Sequence, residues 1–76
     1  MKKGTIYFSE IVTLAHDGEI EKAIHYFAKA ANARSEGKET SADLYRGFAE
    51  RAEAKVHKLN ELLNKLAKGE LYNERY

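Results

Sequence analysis

The feature that most constrains this sequence is a run of apolar residues near the carboxyl end, spaced alternately four and three positions apart. The run consists of Tyr45, Ala49, Ala52, Val56, Leu59, Leu63 and Leu66. Such spacing places side chains along one seam of an α-helix and favours left-handed supercoiled packing against another helix. The pattern therefore predicts a long helix over about residues 41–68. Further apolar side chains widen its seam, namely Leu44, Phe48 and Leu62.

Two shorter helices are predicted before the long one. Apolar residues at helical spacing indicate helices over about 5–16 and 19–34. Asp17-Gly18 separates them, because glycine readily adopts the left-handed conformation that ends helices. No proline interrupts any of the three segments. We expect an all-α fold, a three-helix bundle.

A single domain over residues 1–76 is expected, ending in a short tail at 69–76, because a chain of 76 residues is too short for two cores. The absence of cysteine excludes disulfides and thiolate zinc sites. The 13 basic and 12 acidic residues leave a net charge of +1, which argues against a dedicated polyanion binder. No apolar run is long enough to span a bilayer, so a soluble, cytoplasmic protein is expected.

The three predicted helices differ in length, and this predicts an interaction surface. At 1.5 Å per residue the first two are roughly 18 and 24 Å long and the third roughly 42 Å. Leucines in the distal half of the third would then extend beyond the core. The predicted self-association or partner-binding surface comprises Leu59, Leu62, Leu63, Leu66, Leu71 and Tyr72. Alternatively, the third helix bends near Asn60 or Asn64 and buries its leucines internally.

Residues 17–30 resemble the second helix of a tetratricopeptide (TPR) hairpin. Gly18 stands at the turn, Ala23 and Ala30 at the small positions, and Phe27 at the position that fills the groove. A shift of 34 residues reveals no second repeat. The resemblance implies an antiparallel helical hairpin over residues 5–34.

A hairpin of this kind followed by a longer helix is similar in architecture to the microtubule-interacting and trafficking (MIT) domains. The similarity covers about residues 5–68. Members of that family are three-helix bundles that bind helical peptides in grooves between their helices. The resemblance thus implies a protein-binding module.

Catalytic and metal-binding patterns are absent from the sequence. The three histidines, His16, His25 and His57, share no i, i+4 spacing and stand in no HExxH motif. The serines lack a nucleophile-elbow setting, and no glycine-rich loop could cradle phosphate. We expect no enzymatic activity, no cofactor and no metal.

A basic ridge on the third helix provides the alternative function. It consists of Arg51, Lys55, Lys58 and Lys65. The ridge could follow a phosphate backbone, or it could be a solvated face in which Glu61 pairs with Lys65.

The sequence therefore predicts a non-enzymatic protein–protein interaction module. We expect it to self-associate as a homodimer and to act as a small adaptor or inhibitor of a larger complex, by analogy with small phage proteins. A nucleic-acid-associated regulator is the alternative.

Overall fold

A computed structural model describes residues 6–76 and contains two long helices packed side by side in antiparallel fashion. Helix α1 spans Phe8–Ser35 and helix α2 spans Glu39–Ala67. The all-α class is confirmed, and the predicted three-helix bundle is wrong. Neither helix in the described part of the chain is long and apolar enough to cross a membrane.

Helix α1 runs straight through Asp17-Gly18, where the sequence analysis placed a break. Gly18 lies inside the helix, and its φ angle is not positive. A glycine in a helix interior costs about 1 kcal/mol relative to alanine. Packing of α1 against α2 along its length offsets this cost. The TPR-like hairpin predicted over residues 5–34 is therefore wrong, because most of that segment is one helix.

Helix α1 carries an inner seam that matches the seam of α2 in its spacing. All of its members are buried or half-buried, and they are Val12, His16, Glu19, Ala23, Tyr26, Ala30 and Ala33. The steps alternate between four and three positions, as in a heptad repeat. Two such seams facing each other explain why the hairpin needs no third helix to bury them.

The connection between the helices depends on one glycine. Gly37 has a φ of 77°, in the left-handed region that glycine adopts without steric cost. The Lys38 N–H donates to the Ala33 carbonyl at 2.8 Å, and the Gly37 N–H donates to the Arg34 carbonyl at 3.0 Å. This pair of bonds is a Schellman motif, which satisfies the last carbonyls of α1.

Helix α2 ends in the same way. Gly69 has a φ of 76°, the Glu70 N–H donates to the Lys65 carbonyl, and the helix stops at Ala67, one residue before the predicted end. The helix is one continuous element, so the alternative of a bend near Asn60 or Asn64 is wrong.

The core changes in character along the hairpin. Near the connection, which we call the turn half, the buried side chains are small: Ala23, Ala30, Ala33, Ala42, Ala49 and Ala52. The other end, the open half, buries Val12 and half-buries larger residues of α2: Val56, Leu59, Leu62, Leu63 and Leu66. No large side chain in the described chain is fully buried.

The tail folds back onto the start of α1. Ile6 and Tyr76 exchange two backbone hydrogen bonds, of 2.7 and 3.3 Å, and the Phe8 N–H donates to the Glu74 carbonyl at 2.7 Å. Tyr7 and Arg75 form the antiparallel bridge between them. We call this contact of residues 6–8 with 74–76 the terminal clasp.

The tail also supplies the cap of α1. No local side chain caps the helix at Tyr7, but the Asn73 side-chain oxygen accepts a hydrogen bond of 2.8 Å from the Ser9 N–H. Asparagine is a favoured cap because it satisfies one of the free N–H groups at a helix start. Residue 5, with which the helix was predicted to begin, lies outside the described residues.

Candidate interaction surfaces

The leucines of the predicted partner surface lie against α1 rather than beyond it. Because α1 has 28 residues, it is long enough to run beside α2 over its whole length. Leu59, Leu62, Leu63 and Leu66 are consequently half-buried in the open half. In the tail, Leu71 is partly exposed and Tyr72 is 85% exposed. The distal leucines therefore do not extend beyond the core, as the length mismatch had led us to expect. That these residues contact a partner stays a prediction.

A different set of residues carries part of the exposed apolar surface of α1, in addition to Ile11 and Leu14 near its start. Asp17, Ile20, Ile24, Phe27, Ala31 and Arg34 are spaced three, four, three, four and three positions apart, which makes a second seam on this helix. We call it the outer seam. Ile24 is 64% exposed and Phe27 is 38% exposed, although both are large and apolar. Most of this seam lies within the helix predicted over 19–34, and the expected break at Gly18 separated only Asp17 from it.

The outer seam and the cations of α1 lie on opposite broad sides of the hairpin. Ile24 is two positions from Lys22, which corresponds to about 200° around the helix. Lys22 lines a shallow groove together with Arg51 and Lys55 of α2. The outer seam therefore faces away from this groove.

The groove has an aromatic floor contributed by both helices. The Tyr26 ring is stacked on Tyr45 with centroids 6.2 Å apart, and it packs at 5.3 Å against Phe48. The Lys29 ammonium lies 5.4 Å from the centroid of Tyr45, and the Arg51 guanidinium lies 5.8 Å from that of Phe48. Cations at these distances from ring faces are attracted by the ring electrons.

The four cations of the predicted basic ridge are all exposed. Arg51, Lys55 and Lys58 lie at i, i+4 and i+7 on one side of α2, and Lys65 continues the same line. Among the described residues none of these four forms an ion pair within 4.0 Å. The pair between Glu61 and Lys65 that would make the ridge an ordinary solvated face is thus not formed.

One carboxylate is placed unusually, in the inner seam. The Glu19 side chain is 17% exposed; one oxygen lies 3.4 Å from the Lys22 ammonium, and the other is buried without a hydrogen-bond partner. Burying an unpaired carboxylate oxygen is unfavourable. Glu19 and His16 form a polar layer between the turn half and the open half.

Histidines and acidic residues do not assemble into a metal site in the part of the chain that the structure describes. His16 lies 3.4 Å from the Asp17 carboxylate, and the His25 ring meets the edge of Tyr26 at 5.2 Å. In the tail, repulsion by the Glu74 carboxylate raises the pKa of the Tyr76 phenol above its ordinary value.

Comparisons with protein-family models, with curated proteins and with solved structures give no match to this chain.

Proposed function

We propose that this protein is a non-enzymatic interaction module that self-associates through the outer seam of α1. The observation that carries the proposal is the symmetry of that seam. If α1 packs antiparallel against α1 of a second copy, Ile24 meets Phe27 of that copy and Ile20 meets Ala31. Asp17 then faces Arg34 at each end of the contact. A twofold interface requires this kind of self-complementary pattern.

The surface area of the hairpin supports the same proposal. The chain exposes 5892 Å², about a quarter more than the roughly 4,700 Å² expected for a compact monomer of this mass. Its radius of gyration is 16.7 Å, against about 11 Å for a globular chain of this length. The hairpin is a single layer of two helices, and stable domains have at least two packed layers.

The excess area is sufficient for a stable dimer. A standard protein–protein interface buries about 800 Å² on each partner, and the excess here is roughly 1,200 Å². Pairing the outer seams gives each α1 a second neighbour and covers Ile24 and Phe27. The result is a four-helix assembly with a core between two hairpins.

Sedimentation equilibrium over a concentration series tests the proposal, using Ile24→Asp and the matched control Leu44→Asp. Ile24 and Leu44 are both exposed aliphatic residues, with 64% and 58% of their surface accessible. Leu44, however, lies on α2 away from the outer seam. We expect a wild-type dimer, a monomeric Ile24→Asp variant and a dimeric Leu44→Asp variant. Circular dichroism establishes that each variant keeps its helices.

The charges at the ends of the seam test its register. Asp17→Arg and Arg34→Asp should each weaken the dimer, because each places like charges opposite one another. The double variant should regain most of the lost affinity, since the pair is then restored with its signs exchanged. A wild-type monomer at all concentrations, or dissociation by Leu44→Asp alone, would overturn the proposal.

A role as a small adaptor or inhibitor of a larger complex is the biological function we propose for this dimer. It is consistent with a chain that presents surfaces but no cluster of metal-binding side chains in its described residues. Capture from host extract with wild-type protein and with Ile24→Asp would separate partners of the dimer from partners of the single hairpin.

A further inference from the structure

We propose that the broad side of the hairpin opposite the outer seam binds double-stranded nucleic acid through its phosphates. This side, which we call the basic face, combines cations from both helices. Its members are Lys22, Lys29, Arg51, Lys55, Lys58 and Lys65. The sequence predicted only the ridge on α2, and the structure adds Lys22 and Lys29 of α1 to it.

The position of the α1 cations follows from their contacts. Lys22 shares the groove with Arg51 and Lys55. Lys29 is seven positions after Lys22, on the same side of α1, and its ammonium lies over the Tyr45 ring of α2. The cations of the two helices therefore form one continuous surface.

Most charge on the basic face is not neutralised within the described chain. Lys22 has Glu19 at 3.4 Å, whereas Arg51 and Lys55 have no ion-pair partner in the region that the structure covers. Glu53 stands two positions from both of them, about 200° away around the helix. The negative charge of Glu53 therefore lies on the side of α2 away from these two cations.

The acidic residues nearest in sequence are engaged elsewhere. Glu50 accepts a hydrogen bond of 2.9 Å from Arg46, on the side of α2 away from the groove. In the sequence, Glu50 and Glu53 stand close to Arg51. In the folded hairpin both glutamates lie on the side of α2 away from the groove, so they do not interrupt the basic face. Their negative charge repels a polyanion from that opposite side.

The geometry favours a duplex over a single strand. Arg51 and Lys65 are about 21 Å apart along a continuous helix, a rigid line that suits an equally rigid backbone. Single-strand binders stack bases on open aromatic rings, whereas here a cation lies over each of the rings of Tyr45 and Phe48. Duplex DNA also has the higher charge density, about one phosphate per 1.7 Å.

Fluorescence anisotropy with a labelled DNA duplex of about two helical turns tests the proposal across a salt series. We compare Lys22→Gln/Lys55→Gln with Arg46→Gln/Lys68→Gln. Each double variant removes two positive charges and breaks one ion pair, so the net charges are identical. Only the first pair belongs to the basic face.

We expect wild-type binding that weakens steeply with salt. The basic-face variant should bind about tenfold more weakly at low salt, and its log–log salt slope should decrease by about 2. The control should change less than about twofold. The result for Ile24→Asp shows whether binding persists in a single hairpin, so this proposal and self-association can fail separately.

Three results would overturn the proposal. The first is no binding to the duplex at low salt. The second is an equal loss in both double variants, which would show that only net charge matters. The third is tighter binding to single-stranded DNA of the same length, or to vesicles containing anionic phosphatidylserine, than to the duplex.

Discussion

The turn half and the open half of the hairpin solve the same packing problem with side chains of different size. In the turn half the alanines are excluded from water almost completely, and Ala42 and Ala49 are 0% exposed. In the open half Leu59 and Leu63 stay half-buried although they follow the same spacing. The difference shows that a single neighbouring helix covers a methyl group fully but a leucine only in part.

The two halves also differ in how they are stabilised. Each buried CH₂ or methyl group contributes about 0.8 kcal/mol, and a fully buried leucine about 1.5–3 kcal/mol. The turn half therefore gains little per residue but benefits from the covalent connection at Gly37. The open half gains more per residue, and the terminal clasp holds its far end.

Enlarging a buried alanine should have the largest effect on stability. Ala49→Leu inserts a side chain where the helices leave no room, so we expect a loss of about 3 kcal/mol in the free energy of unfolding. Ala54→Leu, on the exposed side of the same helix, is the control and should change it by less than about 0.5 kcal/mol. Urea denaturation measures both. Equal stability of the two variants would mean that the turn half is not closely packed.

Shortening a leucine in the open half should cost less. Leu63→Ala should reduce the free energy of unfolding by about 1.5–2 kcal/mol, below the 2–5 kcal/mol typical of a fully buried leucine, because the residue is half-exposed. Leu44→Ala, which removes an exposed leucine, is the control. A loss of about 4 kcal/mol at Leu63 would show that something beyond α1 covers this residue.

Removal of the cap contributed by the tail should have a smaller effect. Asn73→Ala deletes the acceptor of the Ser9 N–H and should cost about 1 kcal/mol. Asn73→Asp keeps an acceptor oxygen and should preserve stability. Thermal melts compare the three proteins, and an Asp variant as unstable as the Ala variant would argue against the capping bond.

The smallest expected change in stability comes from a substitution at Gly18, which lies between the two halves. Gly18→Ala should stabilise the protein by about 0.5–1 kcal/mol, because the helix continues there and an added Cβ would have no atom within 4 Å. A destabilised Gly18→Ala variant would instead indicate a left-handed glycine and a break between two helices. Gly37→Ala, where φ is positive, is the matched contrast and should lower stability.

Helix α2 could be predicted from the sequence, and α1 only in part. The α2 seam is apolar throughout, so its period indicated a helix within two residues of the observed bounds. The inner seam of α1 has the same period, but His16 and Glu19 stand in it beside Asp17-Gly18. A polar pair next to a glycine is also typical of a turn. Tertiary packing along the neighbouring helix decides between these outcomes.

The prediction of the candidate surfaces depended on the break that was wrongly expected at Gly18. With α1 divided at Gly18, Asp17 and Arg34 belonged to separate elements, and the leucines of α2 appeared to lack cover. The exposed ridge on α2 was identified from spacing alone, whereas the addition of Lys22 and Lys29 required the antiparallel register of the helices. The clasp involves backbone groups, which carry no sequence signature.

The terminal clasp has a consequence for how the hairpin opens. Ile6 and Tyr76 are 70 positions apart, so closing the loop between them costs more chain entropy than forming any contact near the connection. Contacts next to Gly37 should form first and the clasp last. Amide hydrogen exchange should accordingly be fastest for Ile6 and Tyr76 and slow progressively from the clasp toward the turn half. Local opening of the hairpin therefore begins at the clasped end and proceeds toward the connection at Gly37.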